Sequence, residues 1–435
     1  MSKEELSLKN NYEDDEEKPQ SLETSILFER HGIWVLVGFL LIAIWYRFLP
    51  LAVVSIFLGL LFIIITAWKN RSLMGMKPTL QLSKSRVFTD EEFVIDGSLY
   101  NDKWLPLIWI EWSFLKNEGI CLGHDDEESY TIRFLWLLWF QKVKWTLKGK
   151  ALRRGVYDIG QVILRSGDGF RFGEIEELHN LDKKLYVYPK LLSVWVPSYR
   201  SSMQWGVKGK QGGFIEDPLL VNGIREYQAG DELRRFNWRA TSRTGKLQVN
   251  IYQPIVIEQL IIYIDVEGFG IDEKAYEDPI EQRAYVSKKR EAFERFLSII
   301  ASVAVKYKEQ GISIGFTSNG LNYRGEKMSS IPPSIDLALF LDQLAQITQR
   351  VGVKKMKPLD ELLHKGRMCI PLYIFCHHVT EDHYSRYQQH KHKLSEVRFY
   401  YNHETEYTKK LAPIVKPIDT FLSSLDSSGK ESNYA

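Results

Sequence analysis

The sequence predicts a multi-domain chain: a two-helix transmembrane hairpin, then an antiparallel β-sandwich, then an α/β domain with a mostly parallel sheet. Three observations predict this class. Residues 33–46 and 51–68 are apolar runs separated by RFLP. From about residue 79 to 190, apolar residues recur with a period close to two. From about residue 256, continuous apolar strands alternate with amphipathic helical stretches. A length of 435 residues suits two or three such units.

The first segment, residues 1–30, includes NYEDDEEKPQ, which has too little apolar surface to order itself. Residues 31–70 form the expected hairpin. Each apolar run is slightly shorter than the roughly 20 residues that span hydrocarbon. Phe48 and Leu49 extend the first run, with Arg47 snorkelling outward and Pro50 in the turn. Trp34, Trp45, Tyr46 and Trp68 stand at the ends, where interfacial aromatics belong. The paired runs are too long for a secretory signal. Lys69, Arg71, Lys77, Lys84 and Arg86 come next, with no acid before Asp90. This bias predicts a multi-pass cell-membrane protein with its main domains in the cytoplasm. Cys121, Cys369 and Cys376 form no CxxC pair, which agrees with a reducing compartment.

Residues 78–190 read as the sandwich. Phe93, Ile95 and Leu99 alternate with polar neighbours, as do Ile108, Ile110, Trp112 and Phe114. Residues 191–255 form a joint segment. Residues 256–410 form the α/β domain. EQLIIYIDV is a strand buried on both faces, and Phe293, Phe296, Leu297, Ile300, Ala301 and Ala304 make one helical stripe. GISIGFTS, IDLALFLDQLAQITQR, PLYIFCHH, EDHYSRYQQHKHKL and VRFYYN continue the alternation. Residues 411–435 read as a polar tail.

Several chemistries are excluded. A net charge of +2 does not suit a polyanion binder, so no nucleic-acid partner is expected. No GxxxxGK[ST] loop or GxSxG elbow occurs, and neither a cofactor nor a small-molecule substrate is identified. His377, His378, His383, His390 and His392 lack metal-site spacing and read as a solvated helix face.

REYQAGDELRRFNWRATSRTGKL, residues 225–247, sets six basic residues against three acids around one tryptophan. With RRGVYDIGQVILRSGDGFRFGEIEE and NDKWLPLIWIEW, it resembles the hallmark blocks of domain of unknown function family 58. Gly169 and Arg171 depart from that family's usual residues. The resemblance covers about residues 30–405. It implies a membrane hairpin, a β-sandwich and a von Willebrand factor A-like domain. It also implies partners: a MoxR-type AAA+ ATPase and a transglutaminase-like membrane protein.

In the 225–247 block the candidate residues are Gly230, Asp231, Arg234, Asn237, Trp238 and Arg243. They read as a structural joint with Trp238 as its apolar anchor; a phosphate site and a partner surface are the alternatives. A metal-binding von Willebrand A domain needs DxSxS. Here Asp265 is kept, but Glu267 and Phe269 replace both serines, which makes the position degenerate. Trp136 and Trp139, with Lys142, Lys144 and Lys148, form an aromatic and basic stretch that would rest on the inner leaflet and contact membrane lipids. Edge protection by lysine is the alternative. The expected function is a membrane-anchored, non-enzymatic scaffold or adaptor that binds protein partners. The alternative is a metal-dependent hydrolase using Asp265 and Glu267. Two helices without intramembrane charges offer no transport pathway.

Overall fold

The computed structural model describes residues 26–123, 130–167, 174–197, 216–254, 258–272, 278–353, 360, 370–392, 394 and 396–422. The expected tail at residues 1–30 lies mostly outside these residues, as does Cys369; the expected tail at 411–435 is corrected for 411–422, where Val415–Pro417 forms a strand and Ile418 and Phe421 are buried.

Helix α1 spans Ile26–Trp45 and α2 spans Leu49–Arg71. They are joined by a tight turn in which Arg47 has φ 51°. Among the described residues the apolar part of α1 is Trp34–Trp45. Helix α2 alone is long and apolar enough to cross a membrane among the described residues.

Two four-stranded antiparallel sheets come after the helices. The first has the order β1 (Met76–Leu82), β3 (Glu92–Asn101), β7 (Lys142–Ala151), β5 (Ile120–Leu122). The second runs β10 (Glu174–Asn180), β9 (Gln161–Gly167), β4 (Leu107–Phe114), β6 (Tyr130–Leu137). They enclose one apolar cluster that includes Phe93, Ile95, Leu99, Ile110, Trp112 and Leu164. The period-two pattern supplied these residues, because alternate side chains of a strand share a face. Trp145 also turns inward, 5.2 Å from Trp112 and edge-on to it. Gly97 is required opposite it: a Cβ there would stand 2.0 Å from the indole.

A third sheet joins β2 (Arg86–Phe88), β11 (Lys184–Tyr188) and β8 (Gly155–Asp158). It mixes a parallel pair, β2 with β11, and an antiparallel pair, β11 with β8. Strands β12 (Glu216–Glu226) and β13 (Gln248–Pro254) form a separate two-stranded arm.

The remaining large sheet has six strands: β17 (Ile331–Ser334), β15 (Ser313–Ser318), β14 (Gln259–Ile264), β19 (Leu372–His378), β20 (Val397–His403) and β21 (Val415–Pro417). All pair in parallel except β17, which is antiparallel to β15. Helices α4 (Pro279–Glu309) and α5 (Leu337–Gln346) cover one face. Helix α6 (Glu381–His390) lies over the other. Phe293, Phe296, Leu297, Ile300, Ala301 and Ala304 of α4 are all buried, as their spacing required. Strands β16 (Gly320–Asn322) and β18 (Ile347–Val351) form a detached pair.

The expected fold class is therefore corrected. The structure is a β-rich, multi-sheet protein with one candidate apolar spanning helix among the described residues. It is not a transmembrane hairpin followed by an antiparallel sandwich and a von Willebrand factor A-like domain. The physical reason lies in the third sheet and the chain just beyond it. Tyr188, Val194 and Val196 leave the β-rich part and enter the same core as α4 and the six-stranded sheet. Layers that a periodic pattern presents as separate are thus joined by a mixed sheet. The antiparallel β17 and the detached β16–β18 pair further depart from the expected parallel alternation.

Candidate functional site

In open sheets of parallel strands, ligands usually bind beyond the carboxyl ends of the strands. Here that edge holds Asp265 after β14, Asn319 after β15 and His383 on α6 after β19. Asn319 Nδ2 donates to Asp265 Oδ1 at 2.6 Å, and the Glu267 amide donates to the same oxygen at 2.9 Å. Asn319 Oδ1 accepts from the Val266 amide at 3.0 Å. His383 Nε2 stands 3.1 Å from Asp265 Oδ2, off the line of an ideal hydrogen bond, so the contact is chiefly electrostatic. The side chains of His383 and Asp265 are 0% and 1% exposed.

The tautomer is set by the other ring nitrogen. His383 Nδ1 accepts the Thr380 amide at 3.2 Å, so the neutral ring carries its proton on Nε2, facing Asp265. Thr380 and His383 together form a capping box at the start of α6. Burial alone would raise the Asp265 pKa. The His383 contact, the Glu267 amide and Asn319 outweigh it and hold the carboxyl below its ordinary value. Thr380, His383 and Asp265 share the connectivity of a nucleophile relay, but Thr380 serves as the helix cap and the ring is sealed from solvent.

Asp265 is thus a closed structural knot, with both carboxylate oxygens engaged. Glu267 lies beside it, half-buried. Among the described residues no group of three or more His, Cys, Asp or Glu is arranged to hold a metal. The expectation of a solvated histidine face is corrected for His383, which is fully buried. Thr380 and His383 stand at capping-box spacing, a signal that could have placed it.

Beside the knot, His377 packs 4.5 Å from Phe269 and 4.7 Å from His403. Gly268, at φ 92°, makes room: a Cβ there would meet the His377 ring at 2.8 Å. Burial, with the nearby positive groups His403, Lys289 and His378, lowers the His377 pKa to about 4. The unfolded chain then binds a proton that the folded one refuses between about pH 6.5 and 4. Stability is full above that window and is lost as pH falls through it. Melting temperature should therefore decline from pH 6.5 downward, and His377→Phe should flatten the decline; an unchanged slope would exclude His377 as its source.

The 225–247 block folds as a local device on the β12–β13 arm. Arg225 forks onto Asp231, with contacts of 2.7 and 2.6 Å. The Gln228 amide also donates to Asp231 at 2.9 Å, and Gly230 supplies φ 109° for the turn. Asn237 caps helix α3 (Trp238–Thr244) by accepting the Ala240 amide at 2.9 Å. Gly245 ends that helix at φ 69°. These hydrogen bonds together set the shape of a tight turn and a short helix. Trp238 is 68% exposed, and its ring meets Phe236 at 5.5 Å. It is not the buried anchor of a joint, because most of its surface is open to solvent. Arg234, Arg239 and Arg243 are beside it without ion pairs among the described residues, and Arg234 and Arg243 are exposed.

The joint between the β-rich part and the α/β part lies elsewhere. Arg154 reaches across to Glu294 with two bonds of 2.8 Å, and to the carbonyls of Leu344 and Ile347 at 2.5 and 2.8 Å. Arg86 forks onto Asp342 at 3.0 and 2.8 Å, and Tyr188 donates to Asp342 at 2.8 Å. A cavity of about 890 Å³ opens beside Arg154. Of the aromatic and basic stretch, Trp136 is exposed near the end of β6 and Trp139 in the β6–β7 loop, and Lys142, Lys144 and Lys148 all point outward along β7.

No family model matches the chain. An uncharacterised protein of Bacillus subtilis (strain 168), YeaD, is 23% identical over 286 residues, covering 65% of this chain and 63% of that protein. This chain therefore matches just under two thirds of that relative's length. Among solved structures, the CARDB domain of a Pyrococcus furiosus protein aligns at TM-score 0.17 and 8% identity, over 26% of this chain and 93% of that one. A GH20 exo-β-N-acetylglucosaminidase from Vibrio harveyi aligns at TM-score 0.20 and 8% identity, over 73% and 59%. Scores this low establish no shared fold.

Proposed function

We propose that this chain is a membrane-anchored, non-enzymatic scaffold that docks protein partners through the β12–β13 arm. One observation carries the reading: the turn, cap and ion pair of the 225–247 block present Trp238 to solvent, with arginines around it that make no ion pair among the described residues. Exposed tryptophan flanked by arginine is the composition of an interface hot spot. The sealed state of Asp265 supports a non-enzymatic role, since a metal would have to displace His383 or Asn319 from its oxygens.

The resemblance to domain of unknown function family 58 makes a MoxR-type AAA+ ATPase the first partner to test, and a transglutaminase-like membrane protein the second. In this reading α2 crosses the bilayer. The basic residues after α2 hold the larger part of the chain on the cytoplasmic side.

Co-purification of the full-length protein with the ATPase from solubilised membranes tests the proposal. Trp238→Ala should leave the melting temperature unchanged, because a surface substitution shifts stability by about 0.5 kcal/mol or less. It should weaken capture of the ATPase by roughly tenfold or more. Capture that survives the substitution unchanged would remove the arm as the docking surface.

A further inference from the structure

We propose that six exposed apolar side chains, Met74, Trp104, Trp136, Leu138, Trp139 and Phe140, form a crown that seats the β-rich body in the interfacial layer of a lipid bilayer. This rests on the membrane-anchored reading and adds what holds the body against the membrane.

The crown is built where the chain crosses between the two four-stranded sheets. One crossing, residues 102–106, leads from β3 to β4; the other, 138–141, leads from β6 to β7. Asn101, fully buried, stitches them together. Its Nδ2 donates to the carbonyls of Leu105 and Leu138 at 3.0 and 2.9 Å, and its amide donates to the Gln141 carbonyl at 3.0 Å. Gln141 Oε1 in turn accepts the Leu138 amide at 2.8 Å.

The same end is fastened to α2. Lys103 Nζ donates to the carbonyls of Arg71, Ser72 and Met74, at 3.0 Å for the first and 2.8 Å for the last. The Asp102 amide adds a bond of 3.1 Å to the Gly75 carbonyl. A helix leaves its last carbonyls without partners, and a cation there also opposes the helix dipole. Burial lowers the Lys103 pKa to about 8, which keeps it mostly charged at neutral pH. Asn101, Lys103 and Trp104 are consecutive or nearly so in NDKWLP, so one short block stitches, caps and presents.

What it presents is costly in water. Trp104 is 78% exposed and Trp136 68%. Trp104 and Phe140 meet edge to face at 5.3 Å. Trp136 and Phe140 sit at φ 55° and 52°, a left-handed region that bulky residues rarely adopt. The last turn of α2 carries Lys69 and Arg71, which places its end at the boundary between hydrocarbon and water. Side chains fastened to that end share its level. Tryptophan favours that layer, where its ring is apolar and its N–H stays wet. The lipid interface is therefore the occupant. The lysine ladder contributes less. Tyr100 opposes Lys142, Ser98 opposes Lys144 and Val94 opposes Lys148. Lys148 thus lies about 20 Å further along the strand from the crown than Lys142.

Fluorescence quenching of the full-length protein in phosphatidylcholine vesicles brominated high in the acyl chains tests this. The comparison is wild type against the triple variant Trp104→Phe, Trp136→Phe, Trp139→Phe, with Trp139→Phe alone as a milder control. Trp34, Trp45 and Trp68 remain in every variant as reporters of the helices. The triple variant should lose roughly half of the quenchable intensity. Lys144→Glu with Lys148→Glu should quench like wild type. Equal quenchable intensity in wild type and both Phe variants, with the helix tryptophans still quenched, would overturn the crown. So would quenching that needs anionic lipid and disappears with the Glu pair. No quenching in any protein would overturn the membrane anchor itself.

Discussion

Asp265→Ala is expected to lower the unfolding free energy by several kcal/mol, at roughly 1–3 kcal/mol for each buried donor left without its acceptor. The carboxylate has no solvent to fall back on. Its loss leaves the Glu267 amide, Asn319 Nδ2 and His383 Nε2 without their acceptor at the ends of three elements. Chemical denaturation in detergent, followed by far-UV circular dichroism, measures the effect. Asp265→Asn should recover part of the loss, since its oxygen can still accept while the charge is gone. A change below about 1 kcal/mol in Asp265→Ala would mean that the knot contributes little. Acid should mimic the substitution. The folded pKa lies below the unfolded one, so this contribution is complete at neutral pH and is lost as pH falls through the folded value.

Arg154→Met should cost roughly 2–4 kcal/mol, since charge-assisted bonds are lost and two buried carbonyls go unpaired. The Arg154 side chain is 7% exposed, and its guanidinium also lies 5.5 Å over the Phe293 ring. Methionine keeps much of the volume, so the loss is electrostatic rather than a cavity. Arg154→Lys should rescue little, because an ammonium cannot fork onto Glu294 while also meeting both carbonyls. Calorimetry should show one transition in the wild type. In the variant, the β-rich part and the six-stranded sheet with its helices should unfold as separate steps. A single transition at the wild-type temperature would show that the contacts of Asp342 with Arg86 and Tyr188, with the shared apolar core, hold the joint without Arg154.

Much of the local structure was legible in the residues. The stripe from Phe293 to Ala304 lies on one face of α4 because a helix repeats every 3.6 residues, whatever covers it. Phe93, Ile95 and Leu99 share a face because a strand repeats every two. The site residues were less legible. Trp136, Trp139 and Trp145 look alike in sequence, yet Trp145 packs on Trp112 while the other two face outward. The loop at Leu138–Gln141 interrupts the alternation, so no single period relates them.

The sequence by itself determined the apolar helix α2 and the strand and helix periods. Each depends on neighbours within about one turn or one strand, whose geometry the backbone sets. Only the tertiary structure decided that the layers are joined by a mixed sheet, that Arg154 rather than Trp238 makes the joint, and that His383 seals Asp265. These outcomes depend on groups far apart in the chain: Arg154 and Glu294 are 140 positions apart, and Asn319 and Asp265 are 54 apart. A residue's burial is set by what covers it, and the cover comes from segments whose placement no local period encodes.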